Sequence, residues 1–494
     1  MRSQETAFER ARASLHRLGI PLVLPALHAA GVGISRTVLG GSHSVAIYPP
    51  INSLTPLDPS CLERGIDWGR EISLYVHIAF CETRCTFCHY TVEHYAGRNS
   101  KSATDDDKVV RYLDALKREL AAWEPQLRRS GTVVSSIYIG GGTPLVLDED
   151  ALTDLIATIR DTFDVRPGAE ICIEGSPLTI TAPEGEQKLR SLKQQGVTRL
   201  SFGVQSFDDT VLKYAARGYK RDVPLLACSI VADIFENWNL DLIQGLYKGS
   251  PSETWNNLAM VAEIRPPHLT WYHARFADRP QGHWLKSDLK QASFESEFAT
   301  LFGRMLIWQE MAALGYDLTD GNRFVRARRY ADPFKTIRTS PSRDLLGIGA
   351  GAYSHVSAGA AKSGYVFRNV PDVRAYVETV LAGNSPITAG RAVDRQELLA
   401  TSYATGLRTG RVEDADRRAM RADNRELSAH YDKLVARLSS VGALEAYRDG
   451  DGHAGLRLSE LGRLFEDEML SLFFSPAVKD ALSPKVTERA LQYG

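Results

Sequence analysis

The chain has 494 residues, with 59 Lys plus Arg against 60 Asp plus Glu and a formal charge of −1. That length holds two or three domains with a sizeable core, and the even charge excludes a strongly basic nucleic-acid footprint. Six cysteines are too few for a disulfide framework, so a reducing, cytoplasmic setting is expected. Met1-Arg2-Ser3-Gln4-Glu5-Thr6 is polar where a secretory signal needs an apolar core. The apolar stretch from Gly19 to Ile34 is interrupted by Pro21, Pro25 and His28, too short and broken to span a bilayer. Residues 1–70 read as an extension packing over the mouth or floor of the α/β domain downstream.

The strand-like run Ile72–Val76 leads into Cys81-Glu82-Thr83-Arg84-Cys85-Thr86-Phe87-Cys88. Three thiolates at this spacing can turn inward from one loop and hold three irons of a cubic cluster. Four cysteines normally close such a cluster. A set of three leaves one iron open, and an open metal position serves chemistry rather than structure. That iron can chelate the amino and carboxylate groups of S-adenosylmethionine (SAM). Two other readings stay open: a zinc knuckle completed by His89 or His94, and a disulfide. Cys61, Cys172 and Cys228 are isolated and read as small buried hydrophobes. His89, Tyr90 and Glu93 flank the loop as proton-relay candidates or as solvated loop residues.

Strand and helix patterns then alternate. An amphipathic stretch from Asp106 to about Leu127 precedes strand Ser136–Ile139, and helix Ala151–Phe163 precedes strand Glu170–Ile173. Helix Gln187–Gln195 and strand Arg199–Val204 follow, then helices from Asp208 and Val223, strand Asn239–Ile243, helix Ser252–Ile264 and strand His268–Tyr272. Six such units predict an α/β fold, a parallel sheet curling into an open (β/α)6 partial barrel. Reactive groups gather at the carboxyl ends of such strands. Gly140-Gly141-Gly142-Thr143-Pro144, Glu174, Gln205 and Asp241 all fall there, with Arg217 on the helix downstream. Glycines allow close backbone approach and expose amides to a ligand; Asp241, a charge in an apolar strand, calls for a partner.

Tyr75-Val76-His77-Ile78-Ala79-Phe80-Cys81, the Gly-Gly-Gly-Thr-Pro loop, Gly203–Phe207, Leu240–Ile243 and Leu346–Ser354 together resemble the HemN-like radical-SAM proteins. That family includes oxygen-independent coproporphyrinogen oxidases, haem chaperones and class C radical-SAM methyltransferases. The resemblance implies a [4Fe-4S] cluster on Cys81, Cys85 and Cys88 and two SAM molecules. Tyr75, Phe87, Gly141, Glu174 and Tyr353 match positions around the SAM on the cluster. Gly142, Thr143, Gln205, Arg217, Asp241 and Arg275 match those around the second, Arg275 through its backbone alone.

Ala79 replaces the family's usual proline, His89-Tyr90 replaces the oxidases' Gly-Cys, and Asn322–Tyr330 lacks the chaperones' His-Asn and Tyr-Trp pairs. These departures imply a class C methyltransferase or cyclopropanase of natural-product biosynthesis. There a 5′-deoxyadenosyl radical takes hydrogen from the second SAM's methyl, and the methylene adds to an sp2 carbon. An oxidase-type decarboxylase and a HemW-like haem chaperone are the alternatives. The expected partners are a bulky aromatic or unsaturated intermediate and an electron donor such as flavodoxin or ferredoxin; no nucleic acid or membrane partner is expected. The expected organisation is an extension (1–70), the barrel (71–330), a connecting or cap segment with the glycine-rich motif (331–393), and a helical, winged-helix-like domain (394–494) acting as a lid.

Overall fold

In the computed structural model, residues 3–34, 48–66, 68–88, 90–95, 103–247, 250–274, 296–334, 344–356, 364–450 and 452–482 are described. Strands β1 (Thr55–Pro56), β2 (Glu71–Ile78), β3 (Phe80–Cys81), β4 (Glu93–His94), β5 (Val133–Gly141), β6 (Val165–Gly175), β7 (Arg199–Gln205), β8 (Asn237–Gln244) and β9 (His268–His273) occupy the first half. Strands β2 and β5–β9 pair in parallel in that order. They are the six strands of the expected open barrel.

Period-two alternation gives this sheet two unlike faces. Leu74, Val76, Ile137, Ile139, Ile171, Ile173, Leu200, Phe202, Leu240 and Leu242 are fully buried in one core beneath the outer helices. The opposite, concave face carries Ser73, Tyr75, Tyr138, Cys172, Ser201, Asn239, Asp241 and Thr270. The charge at Asp241 is thus no anomaly. It belongs to a polar inner face, where Asn239 donates to it at 2.7 Å.

The sheet extends well beyond the six units. Strands β10 (Asp317–Asp320) and β11 (Arg323–Val325) add to the β9 edge, antiparallel. On the other edge β12 (Asp344–Ile348) pairs in parallel with β2, followed by antiparallel β13 (Tyr353–Val356), β14 (Gly364–Asn369), β15 (Ile387–Val393) and β1. Thirteen strands form one sheet, and the glycine-rich motif spans β12, the turn after it and the start of β13.

The N-terminal extension packs in two places. Its helix Gln4–Arg17 lies on the outer layer, with the Phe8 ring edge-on to Trp255 and Phe302. Ile51 and Leu54 instead reach the inner face, against the cluster of Tyr138, Phe334 and Tyr353. The C-terminal part holds helices Arg395–Thr409, Asp414–Asp423, Arg425–Ser440 and Glu466–Leu472. Its small sheet contains β16 (Val412–Glu413), β17 (Leu444–Arg448) and β18 (Ala454–Leu458) in the order β16-β18-β17. Gly321 and Arg304 bond this part to the β10–β11 edge and to the helix Glu297–Ala313, through Glu466 and the Leu464 carbonyl.

Candidate active site

The carboxyl ends of β2, β5, β6, β7 and β8 converge on the cysteine loop. Ile78 ends β2, and Cys81 follows three residues later in β3, which pairs with β4. None of the six cysteines is joined in a disulfide among the described residues, which removes the disulfide reading. His94 lies opposite Cys81 in register but is exposed, which weakens the zinc-knuckle reading. Cys172 and Cys228 are buried as expected; Cys61 is only half-buried.

Two of the loop sulfurs have different protein partners. Cys81 Sγ lies 3.0 Å from Thr143 Oγ1, and Arg217 Nη1 donates to Cys85 Sγ at 3.0 Å. Among the described residues, no three metal-binding side chains converge at ligand spacing. The donor set nevertheless fits a cluster by its chemistry: three soft thiols on one partly buried loop, one already facing a cation. Burial pushes the Cys81 thiol up to about 11.

Around the glycine loop, Gly141 N donates to Glu174 Oε2 at 3.0 Å, Gly142 N to the Ile78 carbonyl at 2.8 Å, and Thr143 N to the Phe80 carbonyl at 2.7 Å. In this structure the protein's own oxygens accept from these amides. Glycine is required here for internal packing. At Gly141 (φ +115°) an added Cβ would lie 2.6 Å from the His77 ring, and at Gly142 it would land on the Phe80 carbonyl oxygen.

Glu174 also accepts from the Tyr138 hydroxyl, whose burial keeps the phenol protonated, well above its ordinary range. Tyr138 stacks on Phe334 with ring centres 4.5 Å apart, and Tyr75 stacks on both. The Tyr75 hydroxyl donates to His77 Nδ1 (3.0 Å), while His77 Nε2 donates to the Thr91 carbonyl (2.8 Å). Burial lowers this imidazole to about 4, so it stays neutral. Tyr353 belongs to the same aromatic wall, and its hydroxyl is held by the Pro49 carbonyl at 3.2 Å.

A second group gathers around Gly203. Arg217 Nη2 donates to the Gly203 carbonyl (2.6 Å), and Asp241 lies opposite Gly203 in register. Gln205 has φ +75°, a conformation uncommon outside glycine and associated with functional sites. Its side chain lies over Gly203. Its buried Oε1 has no hydrogen-bond partner among the described residues. An orphaned amide oxygen at a barrel mouth is a position waiting for a donor. Phe87 packs nearby with Val211, Ala215, Ile243, Leu246 and Ala274.

Not every candidate joins these groups. Tyr90 is 51% exposed, and Glu93 faces Lys108 at 4.0 Å. His89 and Arg275 lie outside the described residues. Sequence reasoning missed Tyr138, Phe334 and His77 as site-forming side chains. Tyr138 was findable, since it shares the inward face of β5 with Gly140.

Residues 75–261 match the model of the Radical SAM superfamily. This segment is a radical-SAM domain. Enzymes of this superfamily bind a [4Fe-4S] cluster and SAM, and the cysteine loop and glycine loop lie inside the match. Over 199 residues the chain is 32% identical to the heme chaperone HemW of Synechocystis, covering 40% of this chain and 46% of that protein. Over 371 residues it is 28% identical to the oxygen-independent coproporphyrinogen III oxidase of Escherichia coli, covering 69% of this chain and 75% of the relative. The chain thus aligns with less than half of the chaperone's length. The solved structure of coproporphyrinogen III oxidase (HemN) from E. coli superposes with a TM-score of 0.71 at 24% identity, covering 87% of this chain and 96% of that one. That likeness establishes the fold. Among the described residues, no helix is long and apolar enough to cross a membrane.

Proposed function

We propose that this chain binds two SAM molecules at one mouth and starts radical chemistry on a bulky, unsaturated small molecule, by the oxidative-decarboxylation route of the coproporphyrinogen oxidases. The supporting observation is the pair of ligand-competent groups flanking the cysteine loop, Tyr75–Gly141–Glu174–Tyr353 on one side and Gln205–Arg217–Asp241 on the other. Cys81, Cys85 and Cys88 would hold the cluster, which would supply the electron for reductive cleavage of SAM to methionine and a 5′-deoxyadenosyl radical. The protein's part is position and exclusion of water. Glu174, fixed by Tyr138 and Gly141, presents a carboxylate to the hydroxyls or ammonium of the first SAM. Gln205 and Asp241 offer acceptors to the second.

The route is favoured by the extent of likeness to the oxidase. A second reading, transfer of a SAM-derived methylene with methylation or cyclopropanation, is favoured by Ala79 and His89-Tyr90 beside the cysteine loop. The chaperone reading is weaker. In the Asn322–Tyr330 stretch, Arg323–Val325 pairs on both sides, between β9 and β10, and the Tyr330 carbonyl accepts from buried Arg199 on the barrel floor. That stretch is structural here.

One incubation separates the three. Anaerobic reduced protein receives coproporphyrinogen III and SAM deuterated at its methyl. The expected products are 5′-deoxyadenosine and carbon dioxide, with no SAM carbon in the tetrapyrrole. S-adenosylhomocysteine with a deuterated methyl or methylene on the substrate would replace this reading by the second. Stable haem binding with no 5′-deoxyadenosine would overturn both.

A further inference from the structure

We infer that Arg217 is an electrostatic tuning residue for the iron–sulfur cluster, acting through the Cys85 sulfur, beyond any contact it makes with SAM. This rests on the assignment of Cys81, Cys85 and Cys88 as cluster ligands. The Arg217 side chain is buried, 7% exposed, and its three nitrogens are all committed. Nη1 points at Cys85 Sγ (3.0 Å), Nη2 at the Gly203 carbonyl (2.6 Å) and Nε at the Tyr219 hydroxyl (2.7 Å). The guanidinium also lies 5.4 Å from the Tyr219 ring centre. Left-handed backbone at Ala216 (φ +57°) and Gly218 (φ +73°) brackets the residue and turns it back from the helix Asp209–Tyr214 toward the loop. The same turn holds the loop itself, since Thr86 N donates to the Ala215 carbonyl at 3.3 Å.

A guanidinium cannot give up its charge in a protein. A fixed cation donating to a ligand sulfur inside a buried site favours the more negative state of whatever that sulfur binds. Hydrogen bonds to ligand sulfurs and local charge set cluster potentials. When the cluster accepts one electron from a low-potential one-electron donor, its charge becomes more negative by one. Arg217 stabilises that added charge, making the cluster easier to reduce. Arg217 therefore bears on SAM cleavage itself, and a role confined to the second SAM is too narrow.

The test is a mediated redox titration of the reconstituted protein in the absence of SAM, followed by the EPR signal of the reduced cluster. Omitting SAM removes any contribution from cofactor binding. Arg217→Gln is expected to lower the reduced-to-oxidised ratio at a fixed potential about tenfold, equal to about 59 mV for one electron. Arg217→Lys keeps the charge but loses the fork, and a smaller drop in the same direction is expected. If Arg217→Gln fails to hold a cluster, the lysine variant decides alone. An unchanged potential in a variant with full iron and sulfide content overturns the inference. Absence of any cluster in the wild-type protein would instead overturn the ligand assignment beneath it.

Discussion

At the residue scale, the three glycines after β5 show how tightly a loop at the mouth can be packed. Gly140 faces Glu174 and Tyr138, Gly141 faces His77, and Gly142 faces the Phe80 backbone. Side-chain ends can yield; backbone cannot. Gly142→Ala is expected to destabilise by about 1–3 kcal/mol through overpacking and to displace the strand that carries Cys81. A denaturation midpoint measured beside Gly140→Ala checks this, with the larger loss expected at Gly142. Equal, negligible shifts would mean that the loop has room to spare. The cysteine spacing was legible because its meaning is local. The stack of Tyr138 on Phe334 was not, because it joins β5 to a residue nearly two hundred positions later.

At the element scale, the helix Ala103–Ser130 acts as a strut between the cluster strand and the glycine-rich turn after β12. Tyr112 donates to the His77 carbonyl (2.7 Å) and accepts from Ala350 N (3.1 Å). Seven residues on, Glu119 accepts from Gly349 N (2.9 Å), Asn369 Nδ2 (2.6 Å) and the Tyr376 hydroxyl (2.6 Å). Burial raises this carboxyl to about 7 despite those donors. A carboxyl raised in the folded state favours folding below its ordinary value near 4.5, and that contribution is lost as pH rises through about 7. Burial raises Glu466 to about 7 as well. The buried imidazoles of His77 and His355, lowered to about 4, oppose this by adding stability as pH rises toward 6.5, so the carboxyls are read by difference: Glu119→Gln is expected to gain stability relative to the wild type as pH rises from about 5 to 7.5, and to gain more once Glu466→Gln is added. Urea midpoints across that range decide it; an unchanged slope in the double variant would contradict the assignment. The amphipathic helix was readable from Val110, Leu113, Leu116 and Leu120, although Val110 is exposed, but its polar contacts to a loop beyond residue 340 were not.

For the whole molecule, the alternation of β2 and β5–β9 made the open barrel legible, because inward and outward faces differ so sharply in polarity. The strands beyond it were not. β12 reads Asp344-Leu345-Leu346-Gly347-Ile348, short and interrupted by a glycine whose Cβ would strike the Tyr353 backbone. Its place is set by pairing with β2, across more than two hundred and fifty residues. The floor of the barrel was equally hidden. Fully buried Arg199 donates to Asn237 and to the Tyr330 carbonyl and contacts His268, a polar plug assembled from four distant segments. A fold shared with HemN leaves the chemistry to the mouth, and the mouth depends on the three cysteines. The most direct measurement is iron, sulfide and EPR analysis of the anaerobically reconstituted protein, with 5′-deoxyadenosine measured after reduction in the presence of SAM. One four-iron cluster and SAM cleavage are predicted for the wild type and for the triple alanine variant of Cys61, Cys172 and Cys228. Both are predicted to vanish when Cys81, Cys85 and Cys88 are replaced by alanine; a full cluster retained in that second variant would contradict the assignment.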